Sequence, residues 1–499
     1  MNTGRIWKNL RVSLVVLIAL NFVFGVQKQL SQLNSDAVQL LSLVNDIFNG
    51  TFVGTVLGPS TYLFPDLFVA LVIRAITSNP IWFHLLYFLA VLMASGFLLR
   101  GIIGKGKVSL MGAIVFVSFF VLEMKEFVFS NIFFPGHHFS LVLISLALFA
   151  IYSKNKLSPS KKIYLLVFGL ISLCFFSDLL TSSFIVAPLL LLILIDGLCL
   201  KGLTKLNLLK YMLVIILASV FGLVLLKLFP SIFNEVTFGG HNRAPICSGF
   251  DEFCRVNSVI FFDFYKYLIA KHIPGIVLIP CIFVVGYRAF VQKDLLSIYI
   301  SLIMAMVLSA LLLSCYYDQK YSFRYILPWF TLPPVVLLVK GNFVEEKDRW
   351  GKFFLVFMLI SNIYSFYRYS SKQKWGFNVA ERKPYTSCIM DIASEYNLKV
   401  GMGDYWNSKV HQMFLGKPII QVNRNLKPYF WITNRSWYNS DAVRSGIDFV
   451  LPDRLDESLL LNKLGEPLKV KICKNGDEIW IYNESKTKAF TDDLKAQYD

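Results

Sequence analysis

The sequence predicts a polytopic α-helical membrane protein of about eleven transmembrane helices, followed by a small C-terminal α/β domain. Three observations predict it. Of its 499 residues 56% are hydrophobic, 45 of them Phe. Only 16% are charged, against roughly 25% in soluble domains. Apolar runs of helical length recur up to about residue 370 and then stop. The chain therefore divides into a membrane part, 1–370, and a tail, 371–499.

The first apolar segment follows MNTGRIWKNLR and resembles a signal-peptide core. No A-x-A-like cleavage site follows it, so a retained signal anchor is expected. Next comes the first external loop, 28–80, with three carboxylates, Asp36, Asp46 and Asp66. Val38, Leu40, Leu41, Val44 and Ile47 recur there at helical spacing, which predicts an amphipathic helix lying on the membrane surface. Ser35 and Asp36 occupy its N-cap region. Asp36 either caps the helix or, at the water–lipid boundary, faces both a lipid-borne and a water-borne reactant. Asp46, about 280° further around the helix, does not share its face. The segment 67–77 with Arg74 is short for a crossing and reads as a second surface or re-entrant helix.

The spans fall at roughly 10–27, 81–100, 108–127, 136–153, 163–178, 180–199, 211–228, 274–291, 296–315, 325–340 and 353–369. The formal charge of +17 could suggest nucleic acid, but lysine and arginine gather in alternating short loops. These include Arg100/Lys105/Lys107, Lys154/Lys156/Lys161/Lys162 and Lys201/Lys205/Lys210. That is the positive-inside pattern. It places the N-terminus in the cytoplasm and the tail outside, in the periplasm of a bacterial inner-membrane protein; no nucleic-acid partner is expected. His137, His138, Asp178, Arg243, Asp318, Lys320 and Arg324 then fall at or in external segments. Few ionisable residues lie at mid-span, which disfavours an ion-coupled transporter.

In the tail, helix-like TSCIMDIASEYN leads to the strand LKVGMG, a helix after DYWNSK, and the strand KPIIQVN. GIDFVLPD follows, then a hairpin, LKVKICKNGDEIWIYN, with Asn-Gly at its turn. The order is that of a Rossmann-like half, but without G-x-G-x-x-G no nucleotide is inferred. Tyr405, Trp406, Tyr429, Trp431, Trp437 and Tyr438 lie between strands and either stack on sugar faces, form the tail's core or meet lipid headgroups. Cys247 and Cys254 share one external loop, and Cys388 and Cys473 are the tail's only cysteines. Each pair is a disulfide candidate in an oxidising compartment.

The acid-bearing first loop, the many spans and the external tail together resemble the GT-C glycosyltransferases, membrane enzymes with polyprenyl-phosphate sugar donors. In style the chain is similar to the bacterial and prophage O-antigen glucosyltransferases (Gtr type) that convert serotype by lipopolysaccharide modification. The resemblance implies a GT-C-like fold for 1–370 and a loop carboxylate at the transfer centre. Carried onto NSDAVQLL it falls on Asp36, with Asp66 second; the tandem Asp-Glu of many members is absent. SFRYILPW resembles an Arg-Tyr-x-x-Pro stretch of such enzymes and points to Arg324 and Tyr325. An undecaprenyl-phosphate donor implies cations at its phosphate: Arg324 and Lys320 first, then Arg243, His137, His138 and Arg74. Acceptor contacts are expected at Tyr405, Trp406, Trp431 and Trp437. No ligand spacing is diagnostic of a metal, so no obligatory metal or cofactor is expected, although some relatives hold a divalent ion. The rival readings are a lipid-linked glycan flippase or exporter, an O-antigen polymerase, and a scaffold whose tail binds a partner.

Overall fold

The structure, a computed structural model, describes residues 9–10, 12–21, 35–52, 55–57, 62–103, 136, 138–232, 237–238, 250–269, 273–313, 327–340, 356, 359–364, 366–367, 387–430, 433–438, 443, 445–473 and 476–496. In chain order its main elements are α1 (Ser35–Phe48), β1 (Thr55–Leu57), α2 (Phe68–Ile76), α3 (Pro80–Ile103), α4 (Phe139–Asn155), α5 (Lys161–Ser177), α6 (Ala187–Leu194) and α7 (Lys205–Ile232). Then come β2 (Thr237–Phe238), α8 (Phe250–Ile269), α9 (Ile273–Phe290), α10 (Leu295–Leu313) and α11 (Leu327–Lys340). The last part holds α12 (Ser387–Glu395), β3 (Gly401–Gly403), α13 (Tyr405–Leu415), β4 (Ile419–Gln421), β5 (Thr433–Asn434), β6 (Phe449–Leu451), α14 (Glu457–Leu464), β7 (Lys469–Ile472), β8 (Glu478–Ile481) and α15 (Glu484–Ala496).

The chain divides into two compact units. One contains Met1–Gln29, Phe88–Leu225 and Asn242–Phe377; the other contains Leu30–Tyr87, Leu226–His241 and Asn378–Asp499. The acid-bearing stretch after the first apolar segment is thus grouped with the tail rather than with the helices that flank it in sequence.

In the helical unit and its boundary helices, four stretches are long and apolar enough to cross a membrane. They are Pro80–Ile102, Ser182–Cys199, Lys205–Leu228 and Leu295–Leu312. They coincide with the expected spans near 81–100, 180–199, 211–228 and 296–315. Val12–Asn21, Phe139–Asn155 and Ile279–Phe290 are apolar but shorter. The expected span 108–127 lies outside the described residues, as does about half of 353–369. Of about eleven expected crossings, four are therefore full-length helices among the described residues. Polar side chains bind the helices sideways. The Asn21 amide donates to the backbone and side-chain oxygens of Asn362, each at 3.0 Å. Ser145 donates to the Phe184 carbonyl at 2.8 Å and meets the Tyr299 hydroxyl at 2.7 Å. Tyr299 also stacks on Phe149, with centroids 5.2 Å apart. Such bonds matter in a bilayer, where water does not compete for the same groups.

The second unit is α/β. Its larger sheet has strand order β4-β3-β6-β8-β7, with β4, β3 and β6 parallel and β6-β8-β7 antiparallel. Period-2 alternation fills both faces. Met402, Ile420, Val450 and Trp480 join one apolar cluster with Leu460 and Phe490. Ile419, Phe449, Leu451 and Ile481 join another with Ile389 and Ile392 of α12. The expected hairpin is present as β7 and β8, with Gly476 at φ +90° in its turn. A disulfide joins Cys388 of α12 to Cys473 at the end of β7. The other expected pair is not formed: Cys254 is drawn into the opening turns of α8 as an exposed free thiol, and Cys247 lies outside the described residues.

A smaller sheet, β2-β1-β5, gathers three distant stretches of chain. β1 pairs in parallel with β2 and antiparallel with β5.

Candidate functional site

α1 differs from the surface helix its periodicity predicts. Every residue from Ala37 to Val44 is buried. The face expected to meet water carries Gln39, Ser42 and Asp46, all of them buried; polar side chains are tolerated there once hydrogen-bonded, and a carboxylate once it is also paired with a charge. α1 packs along α13 and α2 within the α/β unit.

Its first turn meets the tail sheet at a particular place. β3 is followed by α13 and then by β4 on one side, while β6 lies on its other side and parallel to it. The chain order reverses across the carboxyl end of β3, and open α/β sheets bind ligands in the crevice at such a switch point. Asp404 stands there as the N-cap of α13, accepting from the backbone amides of Trp406 at 3.2 Å and Asn407 at 3.1 Å. Burial raises the Asp404 carboxyl above its ordinary range, against those two amide bonds. The Asn407 amide donates to Asp404 at 2.8 Å and to Asp453, just beyond β6, at 3.2 Å. The Arg454 guanidinium lies 5.7 Å from the Trp406 ring centre. Into this edge Ser35 is buried, its hydroxyl donating to the carbonyls of Tyr405 at 2.5 Å and Trp406 at 2.9 Å. Asp36 is the next residue, so the backbone position of the expected base adjoins the switch point. Its side chain lies outside what the structure describes.

At the other end of α1, Asp46 is buried in a polar knot. Trp437 Nε1 donates to it at 3.0 Å and the Thr51 hydroxyl at 3.3 Å. Asn434 is a further hydrogen-bond partner, and the buried Lys409 of α13 supplies a compensating charge. Burial raises the Asp46 carboxyl; the Asn434 bond, the Lys409 charge and the other donors oppose it. Asp66 is also buried and accepts from the Tyr87 hydroxyl. Arg74 of α2 donates through Nε to Asn45 and lies 5.0 Å from the Phe48 ring centre.

The expected aromatic residues divide. Tyr405 is buried, with Trp406 edge-on at 5.1 Å, so its ring is a core element rather than a platform. Trp437 is engaged with Asp46, and Trp431 lies outside the described residues. Trp406, only part-buried, stands at the switch point.

In the helical unit, His138 and Asp178 form a buried pair, Nδ1 to Oδ2 at 2.5 Å. His138 immediately precedes α4, and Asp178 follows α5 and accepts from the Leu180 amide at 2.9 Å. His137, Arg243, Lys320, Arg324 and Tyr325 lie outside the described residues. Among the described residues no group of three or more His, Cys, Asp or Glu could hold a metal ion.

Sequence reasoning placed Ser35 only in the N-cap region of α1 and did not single out Lys409, Asn407, Asp453 or Arg454. Their partners are remote in sequence, and no local spacing signals them.

No protein-family model matches the chain, and no curated protein is significantly similar to it. Among solved structures, the crystal structure of the Archaeoglobus fulgidus oligosaccharyltransferase in complex with Zn and sulfate is similar at a TM-score of 0.42 and 11% identity. The match covers 91% of this chain and 70% of that one. At that distance no residue's role carries over.

Proposed function

We propose that the chain is a membrane glycosyltransferase of GT-C type. It moves a sugar, glucose in the leading assignment, from undecaprenyl phosphate to a periplasmic glycan such as O-antigen. The acceptor hydroxyl oxygen bonds to the anomeric carbon as the bond from that carbon to the phosphate oxygen breaks. Asp36 takes the hydroxyl proton, and undecaprenyl phosphate leaves with the bonding electrons. A positioned base of this kind contributes about a hundredfold or more. Arg324 and Lys320 hold the departing phosphate, since preorganised cations stabilise charge as it develops. Arg243, His137, His138 and Arg74 stand behind them, and Asp66 is the second choice of base. Trp406 offers the acceptor an aromatic face, beside the amide and carboxylate of Asn407 and Asp453. No resident metal or cofactor enters the scheme.

One observation carries this reading: Ser35, the neighbour of Asp36, is bonded into the sheet edge where α/β folds place ligands. A carboxylate from the first loop and a polar, aromatic surface suited to a sugar then belong to one unit.

The test is transfer by purified protein in nanodiscs, with synthetic polyprenyl-phosphate glucose and an O-antigen acceptor. Wild type is expected to transfer, and Asp36→Asn to lose about a hundredfold or more at an unchanged membrane level. A fully active Asp36→Asn protein removes Asp36 from the role. Folded wild type inactive with every donor sugar would favour a lipid-linked glycan flippase instead.

A further inference from the structure

At one end of the helical unit, two stretches of chain bring lysines together without exposed acids. Residues 153–164 and 200–211 contain seven lysines and no Asp or Glu. They converge on Asp196, which is buried after α6. Asp196 accepts from the Tyr152 hydroxyl at 2.7 Å and from Lys156 Nζ at 2.8 Å. The Gly202 amide donates to the Asp196 carbonyl at 2.7 Å, and a Cβ on Gly202 would stand 2.1 Å from Asp196 Oδ1. Asn207 donates to the Leu157 carbonyl at 3.1 Å. The start of α7 and the turn between α4 and α5 are thereby held side by side.

Lys156 is neutralised by Asp196. Lys154, Lys161, Lys162, Lys201, Lys205 and Lys210 are exposed, and none makes an ion pair among the described residues. Beneath them Tyr211 packs against Tyr152 and Tyr164, with ring centres 5.3 and 5.1 Å away. The Tyr211 and Tyr164 hydroxyls are both removed from solvent, and neither has a hydrogen-bond partner. An orphaned buried hydroxyl is costly, and two side by side call for an acceptor. The topology rule explains why lysines lie at this end. It does not explain the hydroxyls. On the same helices exposed Leu165, Leu213 and Leu217 continue away from the lysines, so the cationic rim sits over an apolar wall.

We infer that this end of α4, α5 and α7 is a binding site for an anionic phospholipid of the bilayer. The lysines hold the headgroup phosphate, Tyr164 and Tyr211, uncovered as it docks, donate to its oxygens, and the leucines line its acyl chains. Cation, donor and apolar wall together match an anionic amphiphile, and each Lys near such a headgroup adds to the attraction. A nucleic acid or an acidic protein segment would leave the leucines unmatched.

The experiment is thermal unfolding of the full-length protein in neutral detergent, titrated separately with phosphatidylglycerol, phosphatidylcholine and glycerol phosphate. Phosphatidylglycerol is expected to raise Tm saturably; the other two are expected to leave it unmoved. In Lys162→Gln/Lys205→Gln the half-saturating lipid concentration is expected to rise about tenfold or more. Tyr211→Phe, which removes a partnerless hydroxyl, should keep the lipid-free Tm and weaken the lipid shift. Should the lysine pair fail to fold, Tyr211→Phe decides alone. Equal shifts from phosphatidylcholine, an equal shift from glycerol phosphate, or variants that respond like wild type would each overturn the assignment.

Discussion

Two buried side chains of the α/β unit give opposite dependences on pH. Burial pushes the His411 imidazole down to about 4, against about 6.5 in an unfolded chain. Its contribution is fully present above the unfolded value and is lost as pH falls through the folded one. Over that window the fold should lose about 3 kcal/mol. His411→Gln is expected to flatten the acid limb of the thermal stability curve between those two values; an unchanged limb would show that another group sets it. Asp46 runs the other way. Its carboxyl is raised, so its contribution is present at acid pH and fades as pH rises through the folded value. Trp437→Phe takes away one of its donors and makes ionised Asp46 costlier still. The variant should lose about 1–2 kcal/mol at neutral pH and recover toward wild type in acid. A loss independent of pH would mean that packing of the ring, rather than its Nε1–H, is what matters.

At the scale of elements, close approach of helices makes the clearest demand on sequence. A Cβ at Gly222 of α7 would stand 2.5 Å from the backbone carbonyl of Ser172 in α5. Small residues let membrane helices approach this way. Gly222→Val should therefore cost about 1–3 kcal/mol, read as a lower Tm in detergent. Gly169→Ala, with nothing within 4 Å, should leave stability within about 0.5 kcal/mol of wild type. Equal effects would deny the contact. Elements whose signal is local were legible in the sequence. Alternation and turn residues located β3, β4, β6 and the β7–β8 hairpin, and apolar length located α3, α7 and α10. The sheet β2-β1-β5 was not legible: strands of two or three residues at 55–57, 237–238 and 433–434 have no period, and only tertiary pairing makes them strands. The site was legible in part. An acid at the head of α1 could be read from capping and periodicity. Burial of α1 on all sides could not, because Gln39 and Ser42 look alike facing water or facing protein. Lys409 reads as an ordinary exposed helix lysine until the fold encloses it beside Asp46.

At the scale of the molecule, the α/β unit belongs to the tail only in part. It also takes in Leu30–Tyr87 and Leu226–His241. α1 contributes Val38, Leu40, Leu41, Leu43 and Val44, all buried. At about 1.5–3 kcal/mol for each such side chain, losing α1 would remove an amount comparable to a domain's whole stability of roughly 5–15 kcal/mol. β1 is equally committed, because β5 has no other strand partner in its sheet. A fragment spanning 378–499 is therefore expected to unfold without a cooperative transition, whether or not the Cys388–Cys473 disulfide is intact. The same fragment joined through a flexible linker to 30–87 should recover a cooperative transition, with slow hydrogen exchange along α13. Within that joined fragment Leu41→Asp should abolish the recovery, since it places a charge where Leu41 is fully buried. If 378–499 alone already melts cooperatively and protects α13, then α1 only docks on a finished fold. Were that so, the first loop and the tail could separate, and the placement of Asp36 beside the switch point would become a matter of equilibrium rather than of folding.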